Sequence, residues 1–198
     1  MTTGRLEAFS DGVIAIILTI MVLELRPPAG SGAAAELVAL APAFLSYILS
    51  FLYVGIYWNN HHHLLHTVRR PTAAILWANL HLLFWLSMVP FATAWMGAFP
   101  TDAAPTAVYG VVMLFAAIAY TVLQGFILHG HADDSPLARA IGSDWKGKIS
   151  LLCYLGSIAL AYLRPALSQA LFLGVAALWL VPDRRVEQAV CEEQANIP

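Results

Sequence analysis

The stretch Arg5-Leu6-Glu7-Ala8-Phe9-Ser10-Asp11-Gly12-Val13-Ile14-Ala15-Ile16-Ile17-Leu18-Thr19-Ile20-Met21-Val22-Leu23-Glu24-Leu25 decides the fold. From Leu6 onward it is apolar over the length a membrane demands, since a helix needs about 20 such residues to cross roughly 30 Å of hydrocarbon. It stops at Arg26-Pro27-Pro28, where paired prolines remove backbone donors and force an extended chain. It lacks a small-residue cleavage site and contains Asp11, so it reads as a retained span and not as a signal peptide. Composition carries the same reading to the whole chain. Of 198 residues, 60% are hydrophobic and 11% charged, and the mean hydropathy is +0.71. Soluble domains carry about 25% charged residues. This chain cannot clothe a water-facing surface, and the expected fold class is an all-α polytopic integral membrane protein.

Outward from that stretch, helix breakers mark six expected spans at about 6–25, 37–58, 72–99, 106–128, 149–163 and 166–181. A polar tail, 183–198, follows, and the chain is expected to form a single six-span membrane domain over 1–198. Asn59-Asn60-His61-His62-His63 closes the second span, Arg69-Arg70-Pro71 turns the chain, and Arg164-Pro165 joins the last two spans. Pro90 predicts a kink in the third. Lysine and arginine near span ends collect on the cytoplasmic side. With both termini cytoplasmic, Arg5, Arg69, Arg70, Arg139, Lys146, Lys148, Arg184 and Arg185 fall inside, and only Arg26 and Arg164 outside. That division favours an even number of spans. A net charge of −2 leaves no nucleic-acid footprint. Cys153 and Cys191 lie in an apolar run and in the polar tail, which is no disulfide framework.

Polar residues within such spans are functional candidates, because a charge at that depth is costly unless it faces a bundle interior or a water-filled path. Asp11 sits about 9 Å along the helix from Arg5, at roughly 1.5 Å per residue. It is expected either to hold helices together through a neighbouring His, Trp or Ser, or to serve function. Beyond it, Gly12, Ile16, Thr19 or Ile20, and Leu23 share one helical face, a stripe that by spacing alone suits packing as well as a pore. Glu24 lies at the far end of the span, where solvated charges are common. The second concentration is Trp58-Asn59-Asn60-His61-His62-His63, with His66 beyond. His62 and His66 have the spacing of helical metal ligands, yet no cysteine or nearby carboxylate completes a shell of three or four, so no metal is expected. A buried histidine bonded to Asp11 or to backbone carbonyls, with His81 of the third span as another candidate, or a polar cluster at the cytoplasmic end of the span, is the favoured arrangement. The chain has no Gly-rich phosphate loop, no G-x-S-x-G elbow and no His-Glu-x-x-His pair. It is not expected to be an enzyme or to carry a cofactor. It also lacks the Thr-Val-Gly-Tyr-Gly carbonyl filter, so any ion must be chosen by side chains.

Arg5-x-x-x-Phe9-Ser10-Asp11, opening the first span ahead of an Ile/Leu/Thr-rich run, resembles the Arg-x-x-x-Phe-Ser-Asp hallmark of the transmembrane protein 175 family of lysosomal and prokaryotic potassium channels. Trp58 with the following histidines, and Asn79-Leu80 through Val89-Pro90-Phe91-Ala92-Thr93, are similar to prokaryotic members. The resemblance implies a single-repeat chain that assembles as a homotetramer around its first helices, in the cell (plasma) membrane of a prokaryote. It implies K⁺ as the permeant ion and a pore lined by Ile16, Thr19 and Leu23, with Ile20 as an additional constriction. Arg5, Phe9, Ser10 and Asp11 are then the hallmark, held behind the pore wall in a polar network. Trp58, His61, His62, His63 and His81 are the candidate partners for that network or for pH sensing. The function expected is a potassium-permeable channel, weakly to moderately selective, with a proton leak and a hydrophobic isoleucine/leucine gate. The alternative is a carrier in which the histidine cluster relays protons or a divalent metal.

Overall fold

The computed structural model describes residues 2–28, 30, 35–68, 70–129 and 145–180, and the regular structure there is all helical. Arg69, Arg139, Arg184, Arg185, Cys191, residue 181 at the end of the sixth expected span and the tail 183–198 lie outside the described residues. The elements are α1 (Thr3–Leu23), α2 (Ala35–Ala39), α3 (Ala41–His66), α4 (Ala73–Ser87), α5 (Val89–Ala98), α6 (Ala103–Leu128), α7 (Trp145–Leu163) and α8 (Pro165–Leu180). Four helical runs are long and apolar enough to cross a membrane: α1, α3, the α4–α5 run Ala73–Ala98, and α6. Of the two remaining expected spans, α8 is apolar but has 16 residues. α7 has 19, with Lys146 and Lys148 near its start.

Local chemistry sets the boundaries. The sequence places the end of the second span at Trp58, but α3 continues to His66. The polar residues that suggested an end find partners within the protein: Asn60 Nδ2 donates to the Ile56 carbonyl at 2.8 Å, and Tyr120 donates to the Asn60 carbonyl at 3.3 Å. His61, Leu64 and Leu65 are buried there. The Thr72 hydroxyl caps α4 by accepting from the Ile75 N–H at 3.3 Å. α4 and α5 part at Met88, two residues before Pro90, whose ring nitrogen has no proton for the Leu86 carbonyl. Pro165 opens α8, at the position where a missing N–H costs nothing.

α1 lies against α3, α4 and α5, while α6 packs on α4, α5, α7 and α8. Leu82, Leu86, Met113 and Leu123 fill the core, and Tyr109 meets Phe172 of α8 at a ring separation of 4.9 Å. Small residues let backbones approach, as helices in lipid require. A Cβ on Gly97 would sit 2.9 Å from the Ala43 Cα, so α5 and α3 touch there at backbone distance. Between α6 and α7, a Cβ on Gly110 would sit 2.9 Å from the Ser157 Oγ. Deeper in, the hydroxyls of Ser50, Thr93 and Tyr109 meet at 2.7 and 3.0 Å and join α3, α5 and α6.

Candidate functional site

α1 has two faces of different chemistry. Leu6, Ser10, Ile14, Ile17 and Met21 are buried, recurring every three or four residues along one side. Ser10 is the polar member of this face. Its hydroxyl donates to the Leu6 carbonyl at 2.9 Å, and its oxygen accepts from Asn79 Nδ2 of α4 at 2.9 Å. The other end of the same amide, Asn79 Oδ1, stands 2.7 Å from His61 Nε2 of α3. An amide oxygen only accepts, so His61 carries its proton on Nε2. All three side chains are buried, and together they bolt α1 to α4 and α3 at one level. At the start of the helix, the Thr3 hydroxyl adds a bond to the Val68 carbonyl at 2.8 Å.

One residue on, Asp11 takes the tryptophan among its expected partners, not a histidine. Its Oδ1 accepts the indole N–H of Trp58 at 2.9 Å. Trp58 stacks on His62, with ring centroids 5.9 Å apart and planes at 25°. His62 Nε2 lies 3.1 Å from His66 Nε2, and His66 Nδ1 faces Glu7 of α1 at 3.7 Å. His63 is exposed. His81 does not join the network: it is exposed and accepts the indole N–H of Trp85, one turn along its own helix, at 3.0 Å. Arg5 and Phe9 are also exposed, and among the described residues no carboxylate pairs with Arg5. Sequence reasoning missed Asn79 as the hub of the buried bonds. The signal was an amide inside the run Ile75 to Leu83, apolar apart from it and His81, a position that lipid tolerates only if the group is satisfied by protein.

The opposite face of α1 has no partner among the described residues. Ile16 is 57% exposed, Ile20 42% and Leu23 78%. Thr19 is exposed among them and shares its hydroxyl proton between the Ala15 and Ile16 carbonyls, at 3.1 and 2.9 Å. With that proton spent on the helix, the oxygen lone pairs remain for something outside it. A Cβ on Gly12, at the polar end of this face, would meet nothing within 4 Å. The face is an apolar strip with one oxygen in its middle. Among the described residues no nucleophile, base or phosphate cradle accompanies it.

The family model described as "Endosomal/lysosomal potassium channel TMEM175" matches residues 5–90. A potassium channel of Chryseobacterium sp. (strain P1-3) is 51% identical over 192 residues, covering 97% of this chain and 100% of the relative. The human endosomal/lysosomal proton channel TMEM175 is 34% identical over 110 residues, which is 50% of this chain and 22% of that protein. The crystal structure of a lysosomal potassium-selective channel TMEM175 homolog from Chamaesiphon minutus superposes with a TM-score of 0.79 at 29% identity. It covers 90% of this chain and 96% of the homolog. The hallmark around Asp11, the all-helical fold and a relative matched along its full length agree, and this chain belongs to the TMEM175 family as a prokaryotic member: an ion channel, not an enzyme.

Proposed function

We propose that the chain is a potassium-permeable channel whose pore runs between the first helices of four identical subunits. The observation that carries this reading is the strip of Ile16, Thr19, Ile20 and Leu23 on α1, which no described residue covers, opposite the side that Ser10 and Asn79 fix to the subunit. Brought together around an axis, four copies make a narrow apolar constriction at Ile16 and another at Leu23. Such constrictions block ions by shedding water, with no plug required. Between them, four Thr19 oxygens offer lone pairs to a partly dehydrated K⁺. Hydroxyls on rotatable side chains form a looser cage than fixed carbonyls, which supports weak to moderate preference for K⁺ over Na⁺ and a proton leak. Ser10 and Asp11, through Asn79 and Trp58, hold the helix from behind.

In this reading residues 1–198 are one six-span domain, with α7 and α8 as fifth and sixth spans. Both termini face the cytoplasm of a prokaryote, across its plasma membrane. α8 spans about 24 Å at roughly 1.5 Å per residue, near the lower limit for crossing. Shorter spans are accommodated by thinning of the bilayer around them.

The test is K⁺ efflux from liposomes holding the purified chain. Ile16→Asn is expected to raise basal flux at least several-fold, because a ring of amides keeps the constriction wet. Flux at the empty-liposome level for wild type, Ile16→Asn and Ile16→Ala alike defeats the gate assignment. Native mass measurement is expected to give four copies, and a monomer or dimer defeats the central pore.

A further inference from the structure

Two imidazole nitrogens on the last turn of α3 face each other. His62 Nε2 and His66 Nε2 are 3.1 Å apart, with the rings nearly perpendicular at 89° and their centroids 4.4 Å apart. Four residues separate them, so both rings project from one side of the helix. At most one of the two nitrogens carries the proton between them when the rings are neutral, and the other presents a lone pair. Two nitrogens bound to one tetrahedral zinc at about 2.0–2.1 Å each lie roughly 3.3 Å apart. The pair therefore stands within about 0.2 Å of the bite of a bis-imidazole chelate.

The far sides of the two rings bear on the same chemistry. His66 Nδ1 faces the Glu7 carboxylate at 3.7 Å. A carboxylate behind a ligating histidine fixes the ring and raises its basicity. His62 Nδ1 is buried and has no hydrogen-bond partner among the described residues. A metal on Nε2 leaves that atom as it is, so the support for ligation lies in the spacing of the two Nε2 atoms and in Glu7 behind His66.

We propose that His62 and His66 form an exchangeable site for a divalent transition metal of the zinc class, with Glu7 as the residue that positions His66. Imidazole donors select Zn²⁺, Ni²⁺ and Cu²⁺ over Mg²⁺ and Ca²⁺. Among the described residues no group of three or more His, Cys, Asp or Glu converges to hold a metal. Water fills the remaining positions, and the ion comes and goes instead of acting as a structural element. The site reaches α1 by two routes. Glu7 belongs to α1, and Trp58, stacked on His62, donates to Asp11 of α1. An occupied site stiffens both links and holds α1 where it stands, so the metal lowers flux. This last step rests on α1 lining the pore; the binding itself does not.

The experiment is titration calorimetry of the purified full-length chain with ZnCl₂, paired with K⁺ efflux in the presence and absence of the same Zn²⁺. One Zn²⁺ per chain is expected to bind wild type. His62→Gln and His66→Gln are each expected to weaken binding at least tenfold, and Glu7→Gln about tenfold, while His63→Gln leaves it unchanged. Melting midpoints measured alongside separate a lost site from a lost fold, and the exposed His66 serves if His62→Gln does not fold. Zn²⁺ is expected to lower wild-type flux at least threefold and to leave His66→Gln flux unaltered. Wild-type heats equal to those of the His62→Gln/His66→Gln double variant overturn the site, as does equal loss in His63→Gln. Zinc that binds wild type and leaves its flux unchanged overturns the coupling to α1. Absence of flux without zinc strikes the channel reading alone, since the calorimetry stands apart from it.

Discussion

Replacing Asn79 by leucine removes the hub between α1, α3 and α4 while nearly preserving volume. Two bonds disappear: the one donated to Ser10 and the one accepted from His61. Ser10 keeps its bond to Leu6. His61 fares worse, because its Nδ1 already has no partner, and the variant leaves the whole buried ring unsatisfied. In soluble proteins an orphaned buried group costs about 1–3 kcal/mol. Interhelical polar contacts in membrane proteins average about 0.6 and reach about 1.7 kcal/mol, since the unfolded reference in lipid also finds partners. The membrane scale governs here, and two bonds sum to about 1–3 kcal/mol. At about 2–4 °C per kcal/mol for a chain of this size, the midpoint of thermal unfolding in detergent is expected to fall by roughly 2–12 °C. Ser10→Ala removes one of the same two bonds, so its effect and that of Asn79→Leu should be less than additive in the double variant. Tryptophan fluorescence during heating reads all of these. An Asn79→Leu midpoint equal to that of wild type, or strict additivity with Ser10→Ala, refutes the idea that this amide bolts α1 in place.

Backbone contact makes a sharper contrast. Gly97→Ala places a methyl 2.9 Å from the Ala43 Cα and is expected to cost about 1–3 kcal/mol through overpacking, while Gly125→Ala, with nothing within 4 Å, is expected to be neutral or stabilising; melting midpoints compare the two. Thr19→Val removes the one oxygen from the exposed strip of α1, and K⁺/Na⁺ bi-ionic measurements should show selectivity falling towards unity while flux persists.

The legible parts of this molecule were those written in short-range pattern. The length of the apolar run after Arg5, the proline breaks at Pro27-Pro28 and Pro165, and the Gly12-Ile16-Thr19-Leu23 stripe follow from helix geometry alone. Which of the candidate partners, His, Trp or Ser, Asp11 takes did not, because Trp58 lies 47 residues away on another helix, and an indole N–H serves as well as an imidazole. Asn79 was hidden for the same reason, 69 residues from Ser10. The continuation of α3 beyond Trp58 was not legible because Asn59-Asn60-His61 is polar. Polarity signals water only when no protein group answers it, and here Tyr120, Ile56 and Asn79 do.

The placement of the polar bonds along α1 has a mechanical consequence. Among the described residues, its polar contacts with the rest of the chain, at Thr3, Glu7, Ser10 and Asp11, fall in its first half, whereas Ile14, Ile17 and Met21 are held by dispersion contacts alone. A rod clamped at one end swings most at the other. From Ser10 to Leu23 the lever is about 20 Å long at roughly 1.5 Å per residue, so a tilt of about 5° carries its tip nearly 2 Å, comparable to the radius of a water molecule.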